Sequence, residues 1–287
     1  MGLKFFQEAV RLQKQFLPAG ATCSNAFQTN GTLLTDEWAQ FLHDEKFLVG
    51  ISIDGPQAIH DQRRKHGSGA GSHAEVMRGL ENLQRRNVDT NVLTLVSASN
   101  AGQPLEVYRY LRGLGAMYQQ YIECVEFDVG GKPQPYALQP GQWGEFLCAV
   151  FDEWFSHDTR RVSIRLFDSI LSRLATGVPT VCPMSGSCCN YFVVETNGDV
   201  FPCDFHVEPE LRLGHVSDGF DALGKSSLYE AFGRGKDPRS ATCSACRFLP
   251  LCMGDCPKNR KNSNCFLCAD WKRFYSHTIE RFERLLS

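Results

Sequence analysis

The chain has 287 residues, 43% of them hydrophobic, with 30 basic against 32 acidic side chains and a formal charge of −2. That balance excludes a chain too polar to fold and offers no bulk positive charge for nucleic acid. No apolar run reaches the roughly 18 residues of a membrane helix, and Gly2-Leu3-Lys4-Phe5-Phe6 offers neither a signal-peptide core nor a myristoylation Ser or Thr, so no membrane partner and a cytoplasmic address are expected.

Leu3 to Phe16 reads as an amphipathic helix with Phe6, Ala9, Val10 and Phe16 on one side. A short strand over Ala26–Thr29 runs into the turn Asn30-Gly31, and Thr35 caps a helix through Glu45. Phe47 to Ile53 is an apolar strand ended by Asp54-Gly55-Pro56. A helix over His73–Arg86, a strand over Thr90–Val96 and a helix over Pro104–Leu114 follow, then a strand over Cys124–Asp128 and a helix over Gln142–His157. Apolar strands alternating with such helices imply an α/β fold, with a parallel sheet covered on both faces or a barrel. Polar groups gather at the strand ends, at Gln28-Thr29-Asn30, at Ser52 and Asp54, and at Glu126 and Asp128. Parallel folds bind ligands along that edge, although ordinary turn-formers produce the same pattern.

Further along the grammar changes. After a helix over Phe167–Ala175, Tyr191–Thr196 and Val200–Pro202 flank Asn197-Gly198-Asp199, a strong hairpin signal. The chain is then loop-rich to Pro257, with turns at Lys236-Asp237-Pro238 and Gly254-Asp255, before a helical tail from Trp271 to Leu286. Of thirteen cysteines, three (Cys23, Cys124, Cys148) lie in residues 1–181 and ten in residues 182–287. The shift suggests two domains, residues 1–175 and 176–287. The three early cysteines are expected to be buried thiols, and His206 a surface histidine.

A cysteine-dense, loop-rich segment in a reducing compartment points to metal staples rather than disulfides. Cys182-x5-Cys188-x14-Cys203 precedes Cys243-x2-Cys246-x5-Cys252-x3-Cys256, with Cys268 eleven residues on. Eight soft thiolates make two four-thiolate sites, and spacing alone leaves zinc and [4Fe–4S] both open. Cys189 and Cys265, each close to a proposed ligand, add ambiguity.

The same run, with Gly198 between Cys188 and Cys203, resembles the seven-cysteine SPASM extension of radical SAM enzymes. "CPMSGSCCNYFVVETNGDVFPCDFHVEPELRLGHV", "LCMGDCPKNR", "QTNGTLLTDEWAQFL", "VGISIDGPQAIHDQRR" and "PLEVYRYLRGLG" resemble the anaerobic sulfatase-maturating enzymes. The resemblance implies a partial (β/α)6 barrel binding S-adenosylmethionine, plus a domain with two auxiliary [4Fe–4S] clusters. It assigns Cys182, Cys188, Cys203 and Cys256 to the first cluster and Cys243, Cys246, Cys252 and Cys268 to the second. It further implies oxidation of a sulfatase Cys or Ser to formylglycine: a 5′-deoxyadenosyl radical removes a Cβ hydrogen, a base takes the side-chain proton, and an auxiliary cluster takes the electron. The partners are then a sulfatase polypeptide and an electron donor for the clusters. Asp204, directly after a cluster cysteine, matches the family's base, and a carboxylate there lets proton and electron leave together. Ser52 and Asp54 resemble the S-x-D-G segment near the cofactor, Arg64 is placed to pair with the cofactor carboxylate, and Gln28 and Asn30 lie beside it.

The C-x3-C-x2-C loop that holds the family's S-adenosylmethionine cluster does not occur, since Cys124 is the first cysteine after Cys23, and the G-G-E-P segment is missing too. The expectation is therefore a chain that lacks the first one and a half βα units and is inert alone in reductive cleavage. Two alternatives stand beside it: a non-catalytic sulfatase-peptide-binding remnant, and a zinc-stapled scaffold.

Overall fold

The computed structural model describes residues 2–236, 240–261 and 263–287. Two compact units form, one of residues up to Cys124 with Pro133–Arg165, the other of Val125–Lys132 with Leu166–Ser287. Of the turn at Lys236-Asp237-Pro238, the last two residues lie outside the described set.

In the first unit five strands, β1 (Ala26–Thr29), β2 (Leu48–Ser52), β3 (Thr90–Val96), β4 (Tyr118–Glu123) and β5 (Ser163–Ile164), form one parallel sheet in chain order. The helices are α1 (Leu3–Phe16), α2 (Asp36–Asp44), α3 (Gln57–Arg63), α4 (His73–Arg85), α5 (Pro104–Gly113) and α6 (Gln142–His157). Local chemistry sets their ends. Thr35 Oγ1 accepts the Trp38 amide, with Asp36 and Glu37 in the first turn of α2. Pro104 opens α5, and Lys46 and Asn87 take positive φ just beyond α2 and α4.

Register divides the sheet into two unlike faces. Val49, Ile51, Val92, Val96 and Ile164 are buried on one, in a core completed by residues such as Leu42, Leu83, Val107 and Phe146. The other carries Gln28, Gly50, Ser52, Asn91, Leu95 and Gln120, and exposes Leu48 and Tyr118. Coverage is one-sided, as in an open partial barrel.

One strand lies elsewhere than the hydrophobic pattern suggests: β4 occupies Tyr118–Glu123, not Cys124–Asp128. Its buried polar residues satisfy each other, since Tyr121 Oη donates to Gln119 Oε1 (2.7 Å) and Gln119 Nε2 to the Ala116 carbonyl (2.8 Å). Glu126 and Asp128 therefore mark no strand end and belong to the second unit. Phe16 is exposed rather than part of the apolar stripe of α1. Cys23 is exposed, Cys124 buried and Cys148 half-buried.

In the second unit, helix α7 (Arg165–Thr176) leads to a small antiparallel sheet of β6 (Val193–Val194), β7 (Asp199–Phe201) and β8 (Gly214–His215). Gly198, at φ +88°, makes the β6–β7 turn. Short helices α8 (Phe220–Gly224), α9 (Ser227–Arg234), α10 (Ala241–Ser244) and α11 (Leu249–Cys252) precede the long α12 (Cys268–Arg284). Phe167, Phe274 and Phe282 pack ring on ring as its apolar centre. No helix among the described residues is long and apolar enough to cross a membrane.

Candidate functional site

The cysteines of the second unit gather in two places. Cys182 lies in a one-turn helix (Cys182–Met184), Cys188 just beyond it, Cys203 two residues past β7, and Cys256 before the turn Pro257–Asn259. Burial pushes the Cys188 and Cys203 thiols up and the Cys256 thiol up to about 12, and the charges of Cys182 and Cys203 push Cys188 and Cys256 the same way. Cys243 lies in α10, Cys246 just after it, Cys252 at the end of α11, and Cys268 opens α12. Cys243 and Cys246 act likewise on Cys252, which burial raises to about 11, and on Cys268. These four line a cavity of about 360 Å³, open mouth included, with Phe248 and Trp271 in its wall.

Backbone geometry explains why Cys252 and Cys256 part company. Four residues apart on a continuous helix, they would share a face. Met253, Gly254 and Asp255 instead take φ values of +48°, +78° and +60°, so the chain reverses and Cys256 joins the other group. Asp255 is 2% exposed; its Oδ2 accepts Trp271 Nε1 (3.2 Å), Cys265 Sγ (3.2 Å) and Asn259 Nδ2 (3.3 Å). Its charge raises the thiols of Cys252, Cys256, Cys265 and Cys268, which spans both groups. Among the described residues, no three His, Cys, Asp or Glu side chains converge tightly enough for a single metal ion.

Two cations, Lys236 buried and Arg260 half-buried, brace the first group. Lys236, 1% exposed, donates to the carbonyls of Ser185 (2.6 Å), Pro183 (2.7 Å) and Cys182 (3.4 Å). Arg260 Nη1 donates to the Lys236 carbonyl (2.7 Å) and its Nε to that of Gly254 (3.0 Å). Cys189 turns to α9, its Sγ donating to the Tyr229 carbonyl (3.0 Å), while Cys265 lines the cavity of the second group.

Asp204 follows Cys203, and its Oδ1 accepts the Tyr191 hydroxyl at 2.7 Å. Burial pushes Tyr191 well above the usual phenol range. His206 is half-buried rather than at the open surface, with Nδ1 3.8 Å from Glu208 and its ring against Phe232. The segment Val125–Lys132 is tied to the same unit by Lys258, which bonds the Val125 carbonyl (3.0 Å) and Glu126 (2.5 Å).

In the first unit, Gln28 and Ser52 lie on the open face of the sheet. Asn30 Oδ1 caps its own turn through Thr32, and Thr29 Oγ1 accepts the Gly31 amide. Asp54 and Arg64 are paired: Arg64 Nε donates to Oδ2 (2.5 Å) and Nη2 to Oδ1 (3.2 Å), while Oδ1 also accepts the Leu95 amide (2.9 Å). Behind them His60 Nδ1 accepts the Asp54 amide (3.3 Å), which places its proton on Nε2, facing Ser72 Oγ (3.2 Å); Ser72 in turn donates to the Arg64 carbonyl (3.0 Å). Sequence reasoning missed this ring, and also Lys236, Arg260, Tyr191 and Asp255. Only the alternation of side chains along β3 and β4 could have added Asn91 and Gln120 to the open face.

Residues 2–111 match the radical SAM superfamily, and residues 186–247 match an iron-sulfur cluster-binding domain, SPASM. The serine-type anaerobic sulfatase-maturating enzyme of Bacteroides thetaiotaomicron is 36% identical, over 96% of this chain and 72% of its own length. The cysteine-type enzyme of Clostridium perfringens is 33% identical, over 98% of this chain and 78% of its own. The solved structure of native anSMEcpe with bound AdoMet and Cp18Cys peptide superposes with a TM-score of 0.93 at 32% identity, covering 99% of this chain and 81% of that one.

Proposed function

Because this chain belongs to the anaerobic sulfatase-maturating enzyme family, we propose that it carries the two auxiliary clusters and the substrate base of a formylglycine-forming enzyme. In this reading residues 1–175 form the radical SAM part and residues 176–287 the SPASM part. Cys182, Cys188, Cys203 and Cys256 would hold one [4Fe–4S] cluster, and Cys243, Cys246, Cys252 and Cys268 the other. The donor chemistry fits: eight soft thiols fall into two groups of four, and the second lines an apolar-walled cavity. That division is the observation on which the reading rests most heavily.

S-adenosylmethionine, when bound, would supply the chemistry that removes a Cβ hydrogen from the target Cys or Ser of a sulfatase polypeptide. Gln28 and Ser52 would receive it on the open sheet face. Asn30 and the Asp54–Arg64 pair would shape the strand ends around it. Asp204 would take the substrate's side-chain proton, next to the thiolate of Cys203, where the electron that the substrate gives up would pass to the adjacent cluster; an external electron donor would serve the cleavage of S-adenosylmethionine. The C-x3-C-x2-C set is not among these 287 residues, so the chain alone would not cleave S-adenosylmethionine.

After anaerobic reconstitution with iron and sulfide, the chain is expected to form no 5′-deoxyadenosine under dithionite and to bind a peptide bearing the target Cys or Ser in a fluorescence-anisotropy titration. 5′-deoxyadenosine would overturn the claim of inertness. Absence of peptide binding would overturn the assignment of this chain's residues to the substrate site.

A further inference from the structure

Tyr191 lies just ahead of β6, and its hydroxyl reaches the point where a proposed cluster thiol and the proposed base adjoin. It donates to Asp204 Oδ1 at 2.7 Å and stands 3.5 Å from Cys203 Sγ, which is itself 3.6 Å from the same Oδ1. A phenol has one proton to give. The short bond to a carboxylate is the stronger of the two contacts, so the O–H stays on the phenol and points at Asp204 while the sulfur remains within reach.

The surroundings hold the residue in this pose. Tyr229 Oη donates to the Tyr191 carbonyl at 3.1 Å, and the Tyr229 ring stacks on Phe192 with centroids 4.8 Å apart. Tyr229 is fixed in turn by α9, whose cap Ser226 accepts its amide, and by Cys189, whose thiol donates to its carbonyl. Tyr191 as a whole residue is 39% exposed; its carbonyl is anchored by Tyr229 and its hydroxyl by Asp204.

We propose that Tyr191 is a positioning residue that holds Asp204 Oδ1 and, as a donor within reach of both Asp204 and Cys203, couples the carboxylate to the sulfur. This rests on the reading above that Cys203 holds the first cluster and Asp204 accepts the substrate proton. Holding Oδ1 fixes which oxygen is committed to the protein and leaves Oδ2 as the acceptor for the substrate. Because one proton serves two acceptors, removing one acceptor strengthens the bond to the other. Hydrogen bonds to cluster sulfurs are among the factors that set reduction potential, so this coupling has an electrochemical readout.

The test is a double-mutant cycle in potential, using Tyr191→Phe, Asp204→Ala and their combination in the full chain, reconstituted and followed by EPR-monitored redox titration. Asp204→Ala raises the potential of the first cluster by loss of a neighbouring negative charge. With Tyr191 present it also turns the phenol onto Cys203 Sγ, which raises it further. The expected result is a larger positive shift in the native background than in the Tyr191→Phe background, with the other cluster as internal reference. Equal shifts in the two backgrounds would overturn the coupling. Loss of iron in Tyr191→Phe would assign the residue to holding the loop together, and would overturn the proposal as well. A native chain that takes up zinc or no iron would refute the underlying reading first, before any variant is compared.

Discussion

Lys236→Met replaces a buried ammonium with an apolar chain of similar length. The ammonium donates to two carbonyls at 2.6 and 2.7 Å, those of Ser185 and Pro183, and more weakly to that of Cys182. Hydrogen bonds from a charged group contribute about 1.5–3 kcal/mol each, so the two good ones amount to roughly 3–6 kcal/mol. Against this stands the desolvation of the ammonium, which depresses the Lys236 pKa and which methionine does not incur. The net loss is expected at about 2–4 kcal/mol, localised to the turn carrying Cys182. Trp271 is the tryptophan of that unit, and urea unfolding of the reduced apo-protein by its fluorescence, with Trp38, Trp143 and Trp154 changed to Phe, measures the loss. Iron uptake should fall by about four per chain, one four-thiolate cluster, as Cys182 is released. Native stability together with full iron uptake in Lys236→Met would refute the reasoning.

Acid should weaken the first unit through His60. Burial holds its pKa down at about 4, against 6.5 in the unfolded chain, so the stabilisation is complete above pH 6.5 and is lost as pH falls toward 4. At 1.36 kcal/mol per pKa unit the loss totals about 3 kcal/mol, and His60→Gln should flatten the acid limb of a urea-midpoint profile. Tyr108→Phe removes the 2.8 Å bond to the buried Asp158 carboxylate and should cost about 1.5–3 kcal/mol in the same assay; a change near zero would mean that Arg112, 2.7 Å away, suffices. Gly79→Ala, which helix propensity favours by about 1 kcal/mol, should destabilise instead. A Cβ there would lie 2.3 Å from the Gly31 carbonyl, so an increase in thermal midpoint would contradict the packing of α4 on the Asn30-Gly31 turn.

The parallel α/β character was legible because most strands are apolar runs separated by helical periods, and the caps at Thr35 and Pro104 carry their usual signals. The fourth strand was not, because Tyr-Gln-Gln-Tyr-Ile-Glu hides two buried polar residues that bond each other and so escape a rule based on hydrophobicity. Cysteine spacing pointed to two four-thiolate sites. It gave no physical reason for Cys252 and Cys256 to separate, since that depends on three successive left-handed residues, two of which are not glycine. Lys236 and Asp255 looked like turn residues. Their burial, and the partners that make it tolerable, arise only when distant segments meet.

The central claim is that two independent four-thiolate cluster sites share one unit. It is tested most directly by counting iron and zinc per chain after anaerobic reconstitution, in the native protein and in Cys188→Ala/Cys203→Ala and Cys243→Ala/Cys246→Ala. The account predicts about eight irons natively and about four in each double variant, with no zinc. Stoichiometric zinc, or both clusters lost together in either variant, would contradict it.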